Sequence, residues 1–228
     1  MKLITLAGPP SSGKTAVTIK TIASLQREGL RVGVVKFDSL STQDQALYEK
    51  QAVSVTTGLS GNLCPDHFFV SNVSDCLSWG IECGFDLLVI ESAGLCNRCA
   101  PHIQGVLAVC VIDNLSGVDT PKKIGPMLKM ADIVVITKGD IVSQAEREVF
   151  AYRVRQVNPN ATILNVNGLT GQGGHELGRL LQEAPDTPSV EGRLLRFSLP
   201  AALCSYCLGQ RRIGSDFQMG NVKKMPFS

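Results

Sequence analysis

Apolar residues in this chain fall in short, nearly unbroken runs, and longer amphipathic stretches separate them. Residues 2–7, 31–37, 85–91, 105–112, 131–136 and 160–166 are such runs, and 53–57 is a more polar one rich in β-branched residues. Runs of this kind read as strands covered on both faces, as in a parallel sheet. Residues 16–27, 43–51, 75–83, 143–156 and 176–183 carry helical spacing. In 16–27, Ile19, Ile22, Ala23 and Leu25 cluster toward one side. Residues 121–129 predict a short helix interrupted, or started late, at Pro126. Strand and helix alternate throughout, which predicts an α/β three-layer sandwich around a mostly parallel sheet. Residues 1–183 make that domain. Residues 184–190, with Pro185 and Pro188, read as a linker, and 191–228 as a small extension opening with a strand-like stretch at 193–199.

The first strand runs into Gly8-Pro9-Pro10-Ser11-Ser12-Gly13-Lys14-Thr15, which fits the phosphate-loop pattern G-x-x-x-x-G-K-[ST], and a helix follows at once. Such a loop wraps backbone N–H groups around a phosphate, and the helix N-terminus adds partial positive charge. The fold class is therefore a phosphate-loop NTPase. Gly8, Pro10, Ser11, Ser12, Gly13, Lys14, Thr15 and Ala16 form the phosphate site. Lys14 reaches the terminal phosphates from a position facing ligand and solvent, and the Thr15 hydroxyl ligates Mg²⁺. Asp38 ends the second strand at the edge where ligands bind in open sheets. It is either a carboxylate for Mg²⁺ and the attacking water or a helix cap. Glu91 ends another strand, as a Walker-B acid does. Thr137-Lys138-Gly139-Asp140 follows the 131–136 strand and matches [NT]-K-x-D, in which the Asp carboxylate accepts from guanine N1–H and N2–H₂. Adenine would leave that carboxylate unpaired. Thr137 stands where Asn is usual and weakens one base or loop contact. The 168–173 loop would close over the base.

Composition narrows the partners. The formal net charge of +2 gives no basic footprint for nucleic acid. No apolar run reaches the length of a membrane span. The first residues are already a strand entering the phosphate loop, so a cytoplasmic protein is expected. The eight cysteines then read as buried thiols or metal ligands, not disulfides. Cys76 and Cys83 fall on one side of the 75–83 helix and suit burial. Cys64, in a 58–67 loop with His67, is either core filler or a ligand. Cys96-x-x-Cys99-x-x-His102 can place two thiolates and an imidazole around a soft metal, or else is a redox pair or two unrelated thiols. Cys204-x-x-Cys207 is a second pair, so the two together can supply a four-thiolate zinc or Fe–S site.

These motifs, in this order, resemble the nickel-insertion GTPases HypB and UreG of the SIMIBI class. Val35-Lys36-Phe37-Asp38 with Asp44 resembles the family's acidic switch segment. Gly61-Asn62-Leu63-Cys64-Pro65-Asp66 is similar to its metal-binding Gly-Gly-Cys-Pro-His segment, and Ile90-Glu91-Ser92-Ala93-Gly94 to its Ile-Glu-x-x-Gly motif. Val111-Ile112-Asp113, Pro121-Lys122-Lys123, Asn158-Pro159-Asn160-Ala161 and Leu169-Thr170-Gly171-Gln172-Gly173 complete the set. The resemblance covers residues 1–183. It implies a GTP-hydrolysing metallochaperone that forms a nucleotide-dependent homodimer, holds a metal at the interface and serves a client metalloenzyme. Asp66 stands in the family's His position, and the chain has only three His, hence no histidine-rich tract. Both departures favour a thiolate-dominated site for nickel or zinc. A nucleotide-gated Fe–S carrier and a non-catalytic nucleotide switch are the other two readings.

Overall fold

A computed structural model describes residues 1–94, 100–197, 210–218 and 222–227. In chain order the main elements are β1 (Lys2–Ala7), α1 (Lys14–Arg27), β2 (Val32–Asp38), α2 (Asp44–Glu49), β3 (Ser54–Leu59), α3 (Pro65–Glu82), β4 (Leu87–Glu91) and β5 (Leu107–Asp113). After them come α4 (Thr120–Lys123), α5 (Pro126–Lys129), β6 (Ile133–Thr137), α6 (Gln144–Val157), β7 (Thr162–Asn165) and α7 (Gly174–Gln182). The seven strands lie in the order β3-β2-β4-β1-β5-β6-β7, and every neighbouring pair is parallel. All C-terminal strand ends therefore open on one edge, with the β1–α1 turn at its centre.

The apolar runs divide by alternation. Ile4, Val34, Val89, Val111 and Val135 face α1 and α7 through Val17, Ile22, Leu25, Leu177 and Leu181. Leu3, Val35, Phe37, Leu88 and Ile90 face α3 on the other side. Cys110, Ile112, Val134 and Ile136 meet α5 and α6. Both faces are thus buried, which is why the strands read as unbroken apolar runs.

Helix α3 begins ten residues before the 75–83 stretch. Pro65 occupies its first turn, where no backbone N–H is needed. Phe68, Phe69, Val73, Cys76 and Leu77 then form its buried stripe, with Phe37 edge-on to both phenylalanines at 5.6 and 5.5 Å. The stretch expected to be the 58–67 loop therefore splits between the end of β3 and the start of α3. The break at Pro126 is real, and it separates α4 from α5.

The expected linker at 184–190 does not stand off the domain. Thr187 is fully buried and its N–H donates to the Met1 carbonyl at 2.9 Å. Val190, Leu195, Ile213 and Met225 share the cluster of Phe37 and Phe68. Instead of a strand at 193–199, the described residues give isolated bridges, Ile103 to Leu195 and Leu194 to Arg212. Arg196 fastens this layer. It donates to the carbonyls of Ile103, Val106 and Met130 and bidentately to Asp132, at 2.7–3.1 Å. Among the described residues no helix is long and apolar enough to cross a membrane.

The Asp132 side chain is 40% exposed, so the ion pair itself contributes little. The carbonyls of Ile103 and Val106, on buried residues, carry the effect. Arg196→Met is expected to lower stability by about 1–3 kcal/mol. Urea unfolding of the two proteins, compared at equal slope, measures it.

Candidate nucleotide site

The β1–α1 turn needs backbone that only particular residues adopt. Gly8 has φ 152°, and a Cβ there would lie 2.0 Å from the Val111 carbonyl oxygen. Gly13, at φ 91°, caps α1 in the left-handed conformation, so the helix starts at Lys14 with its N-terminus toward the loop. The loop is gripped from β6. The Thr137 hydroxyl donates to the Ser12 carbonyl at 2.6 Å, and Lys138 Nζ donates to the Ser11 carbonyl at 2.8 Å. Thr137 in place of Asn thus makes its own direct tie to the phosphate loop, where a weakened contact was expected.

Beside the loop lies a cleft of about 430 Å³, lined among others by Ser11, Lys14, Thr15, Lys36, Asp38 and Glu91. Lys14 does not face solvent. It is 6% exposed, and its ammonium donates to the carbonyls of Gly8 and Pro9 at 2.9 and 2.8 Å. Burial pulls its pKa down to about 8, partly opposed by Glu91. Phosphate oxygens would replace those two carbonyls as acceptors and supply the missing negative charge.

Glu91 is fully buried at the end of β4 and is the hub of the cleft. One oxygen accepts from Thr15 Oγ1 at 3.0 Å and Lys36 Nζ at 2.5 Å, and the other accepts from Tyr48 Oη at 2.6 Å. Asp44, at the start of α2, accepts from the same Thr15 hydroxyl at 2.9 Å and the same Lys36 ammonium at 2.7 Å. Burial works against the Asp44 carboxylate, and Lys36 outweighs it and holds the group below its usual range. For Lys36, burial is outweighed by Glu91 and Asp44, and its pKa lies above the ordinary value. Asp38 lines the cleft, but its Oδ1 accepts from the Ser39 backbone N–H, and Asp44 instead meets Thr15.

Thr15 Oγ1, Asp44 Oδ2 and Glu91 Oε1 fit Mg²⁺ as a donor set. All three are hard oxygens, and the hydroxyl lies 2.9 and 3.0 Å from the two carboxylates. Adjacent oxygens around a cation with bonds of about 2.0–2.1 Å sit at about that spacing.

Gly94 packs the chain that follows β4 against the phosphate loop. Its φ is 70°, and a Cβ there would lie 1.7 Å from the Gly8 carbonyl and 3.4 Å from Lys14 Nζ. On the far side, Asp140 is exposed at a small cavity of about 130 Å³ that it shares with Arg147, Asn165 and Gln172. The 168–173 loop contributes Gln172 to this cavity, and Gly168 packs on Ala16, where a Cβ would come within 2.9 Å.

The metal-ligand expectations fare differently. Cys96, Cys99, Cys204 and Cys207 lie outside the described residues. Cys64 is the partly exposed cap of α3. His102 is corrected. It is fully buried, its Nε2–H donates to the Met127 carbonyl at 3.0 Å, and its Nδ1 accepts from Thr5 at 3.1 Å. Both nitrogens are used inside the core, so the ring is a structural tie and not a ligand. Among the described residues no three His, Cys, Asp or Glu side chains gather as a metal cluster.

Lys36 and Tyr48 were missed by sequence reasoning. The signal for Lys36 was visible, because one lysine interrupts the apolar run of β2 and a charge in a strand buried on both faces requires a buried partner. Tyr48 gave no such signal.

Burial pushes the His102 pKa down to about 4, against 6.5 for an ordinary imidazole. Between those values the unfolded chain binds a proton that the folded one refuses. Stability therefore falls as pH drops from 6.5 toward 4, by up to about 3 kcal/mol at about 1.4 kcal/mol per unit. His102→Gln keeps a donor but cannot titrate. Denaturation at stepped pH should show this part of the slope in the wild type and not in the variant.

Comparison with known proteins follows the same lines. A profile described as CobW/HypB/UreG, nucleotide-binding domain, matches residues 2–165. The chain is 47% identical over 225 residues to the uncharacterized protein MJ0120 of Methanocaldococcus jannaschii, covering 99% of this chain and 96% of that one. It is 30% identical over 178 residues to the hydrogenase maturation factor HypB of Azotobacter chroococcum, covering 75% of this chain and 56% of that protein. It is 28% identical over 188 residues to the urease accessory protein UreG of Edwardsiella ictaluri, covering 75% of this chain and 88% of that one. The structure of HypB from Helicobacter pylori in complex with nickel shares the fold, with a TM-score of 0.65 at 20% identity, covering 83% of this chain and 91% of that one. With phosphate loop, sheet order and profile in agreement, the chain belongs to the CobW/HypB/UreG family and carries its nucleotide-binding domain.

Proposed function

We propose that this protein binds and hydrolyses GTP and uses the nucleotide state to handle a soft metal ion for insertion into a metalloenzyme. The observation that carries the reading is the junction at Glu91–Gly94. Glu91 holds Thr15, and three residues later Gly94 touches Gly8 beside Lys14. The segment with Cys96 and Cys99 begins immediately beyond.

In hydrolysis, water attacks the γ-phosphorus and the bond to the β–γ bridging oxygen breaks, giving GDP and phosphate. Such a reaction needs positioning and charge neutralisation more than covalent chemistry. Backbone N–H groups of residues 11–16 and the Lys14 ammonium hold the phosphates. Thr15, Asp44 and Glu91 would hold Mg²⁺, which supplies charge neutralisation at the β- and γ-oxygens. Asp38, on the cleft wall, positions the attacking water. Thr137 and Lys138 keep the loop in shape, and Asp140 reads the guanine.

The metal is cargo. Cys96, Cys99, Cys204 and Cys207 are the proposed thiolates, with Cys64 a further candidate. Supporting a shared site, the described residues that flank the two pairs are joined. The Arg196 N–H donates to the His102 carbonyl, and the Leu195 N–H to the Arg211 carbonyl, both at 2.8 Å. The names of the HypB and UreG relatives and the nickel complex of HypB support metallocentre assembly. A nucleotide-dependent homodimer and a client enzyme in the cytoplasm complete the reading.

In competition for one site, GTP should bind on the order of 10²-fold or more better than ATP, and Asp140→Ala should erase that preference. Equal affinities in the wild type would contradict the assignment of the base. The coupling has its own test. Zn²⁺ and Ni²⁺ are titrated anaerobically into protein holding either a GTP analogue or GDP. Affinities should differ by about 5–150-fold between the two states, and the difference should vanish in Cys96→Ser/Cys99→Ser. Equal affinity in both states would remove the switch.

A further inference from the structure

Lys36 is a charge in an unusual place. It sits in β2 between β3 and β4, in register with Glu91, and is 4% exposed. Its ammonium lies 2.5 Å from Glu91 Oε1 and 2.7 Å from Asp44 Oδ2. Those are the two oxygens that also receive the Thr15 hydroxyl. Lysine and threonine therefore share one pair of carboxylate oxygens, and a divalent cation at Thr15 must draw on the same pair.

The two acids differ in freedom. Glu91 is fixed at the end of a central strand with no exposed surface, and Tyr48 holds its other oxygen. Asp44 opens a short helix after the 39–43 loop, and its side chain is 27% exposed. Lys36 can therefore lose Asp44 and keep Glu91. Charge points the same way. With Lys14, Lys36, Asp38, Asp44 and Glu91 ionised the cleft carries one net negative charge, and without Lys36 it carries two.

We propose that Lys36 is a resident counter-ion that excludes free divalent cations from the Thr15–Asp44–Glu91 oxygens. It gives up Asp44 when the cation arrives with a nucleotide, and its ammonium then faces the phosphates. The inference rests on the reading that this cleft takes Mg²⁺ and nucleotide. It makes Lys36 a positioning residue, one that lets the metal enter only together with its phosphates.

The test uses the nucleotide-free full chain and Mn²⁺ as the probe, with binding followed by electron paramagnetic resonance. Lys36→Gln should bind Mn²⁺ at least about tenfold more tightly than the wild type, because a cation a few ångströms away has been removed. Lys36→Gln should also bind GDP more weakly in the absence of any divalent ion. Unchanged Mn²⁺ affinity would overturn the proposal. Should the glutamine variant fail to fold, the wild type still decides the matter by ¹⁵N-lysine NMR, with the Lys36 signal identified by its loss in Lys36→Arg. That ammonium signal should be unmoved by Mg²⁺ alone and shifted by Mg²⁺ with GDP. A signal unmoved by both would overturn the proposal. If the wild type binds no nucleotide, the broader reading fails, and the Mn²⁺ comparison still decides whether Lys36 excludes the cation.

Discussion

A fully buried carboxylate has to be surrounded by donors, and Glu91 is surrounded by three: the Lys36 ammonium, the Thr15 hydroxyl and the Tyr48 phenol. Taking a charge out of water costs several kcal/mol, and removing one partner of a buried pair typically costs about 3–5 kcal/mol. The pairing is therefore restrictive. It fixes β2 against β4, draws α2 onto the sheet through Tyr48, and sets the first turn of α1 through Thr15. Tyr48, enclosed by burial and faced by Glu91, is held well above the ordinary phenol range and stays a donor. The helices and strands that bracket the cleft thus meet at one side chain.

The phosphate loop rests on that arrangement from one side and on β6 from the other. Thr137 and Lys138 hold its outer carbonyls, and Gly94 presses on its first glycine. Inside, Lys14 is bonded to the loop's own carbonyls, a hydrogen-bonded resting state for a lysine whose charge burial disfavours. A phosphate can take over that role, and any resulting movement of Gly8 is felt at Gly94.

Much of this was legible in the sequence. The strand runs gave the sheet, because burial on both faces removes polar alternation. The eight-residue phosphate loop was unmistakable, because its backbone admits so few residues. The misses have physical causes. The start of α3 was hidden because Pro65 and a buried Phe68-Phe69 pair look like a loop until the partner ring of Phe37 is known. His102 looked like a ligand by spacing, whereas its ring donates to the Met127 carbonyl and accepts from Thr5, both remote in sequence. Asp38 ends β2 and Asp44 follows six residues later. Only the turn of the chain into α2 decides which one meets Thr15. The tail read as an appendage because it follows the Pro185 and Pro188 linker signal, yet Val190, Leu195, Ile213 and Met225 complete one face of the core.

The central claim is that this cleft is a guanine-nucleotide site built around Lys14, Thr15 and Glu91. A crystal structure of the protein with Mg²⁺ and a non-hydrolysable GTP analogue tests it most directly. The account predicts phosphates against the backbone of residues 10–16, Lys14 Nζ transferred from the Gly8 and Pro9 carbonyls to phosphate oxygens, and the base beside Asp140. An analogue bound elsewhere, or Lys14 still held by those carbonyls with phosphates in the cleft, would contradict it.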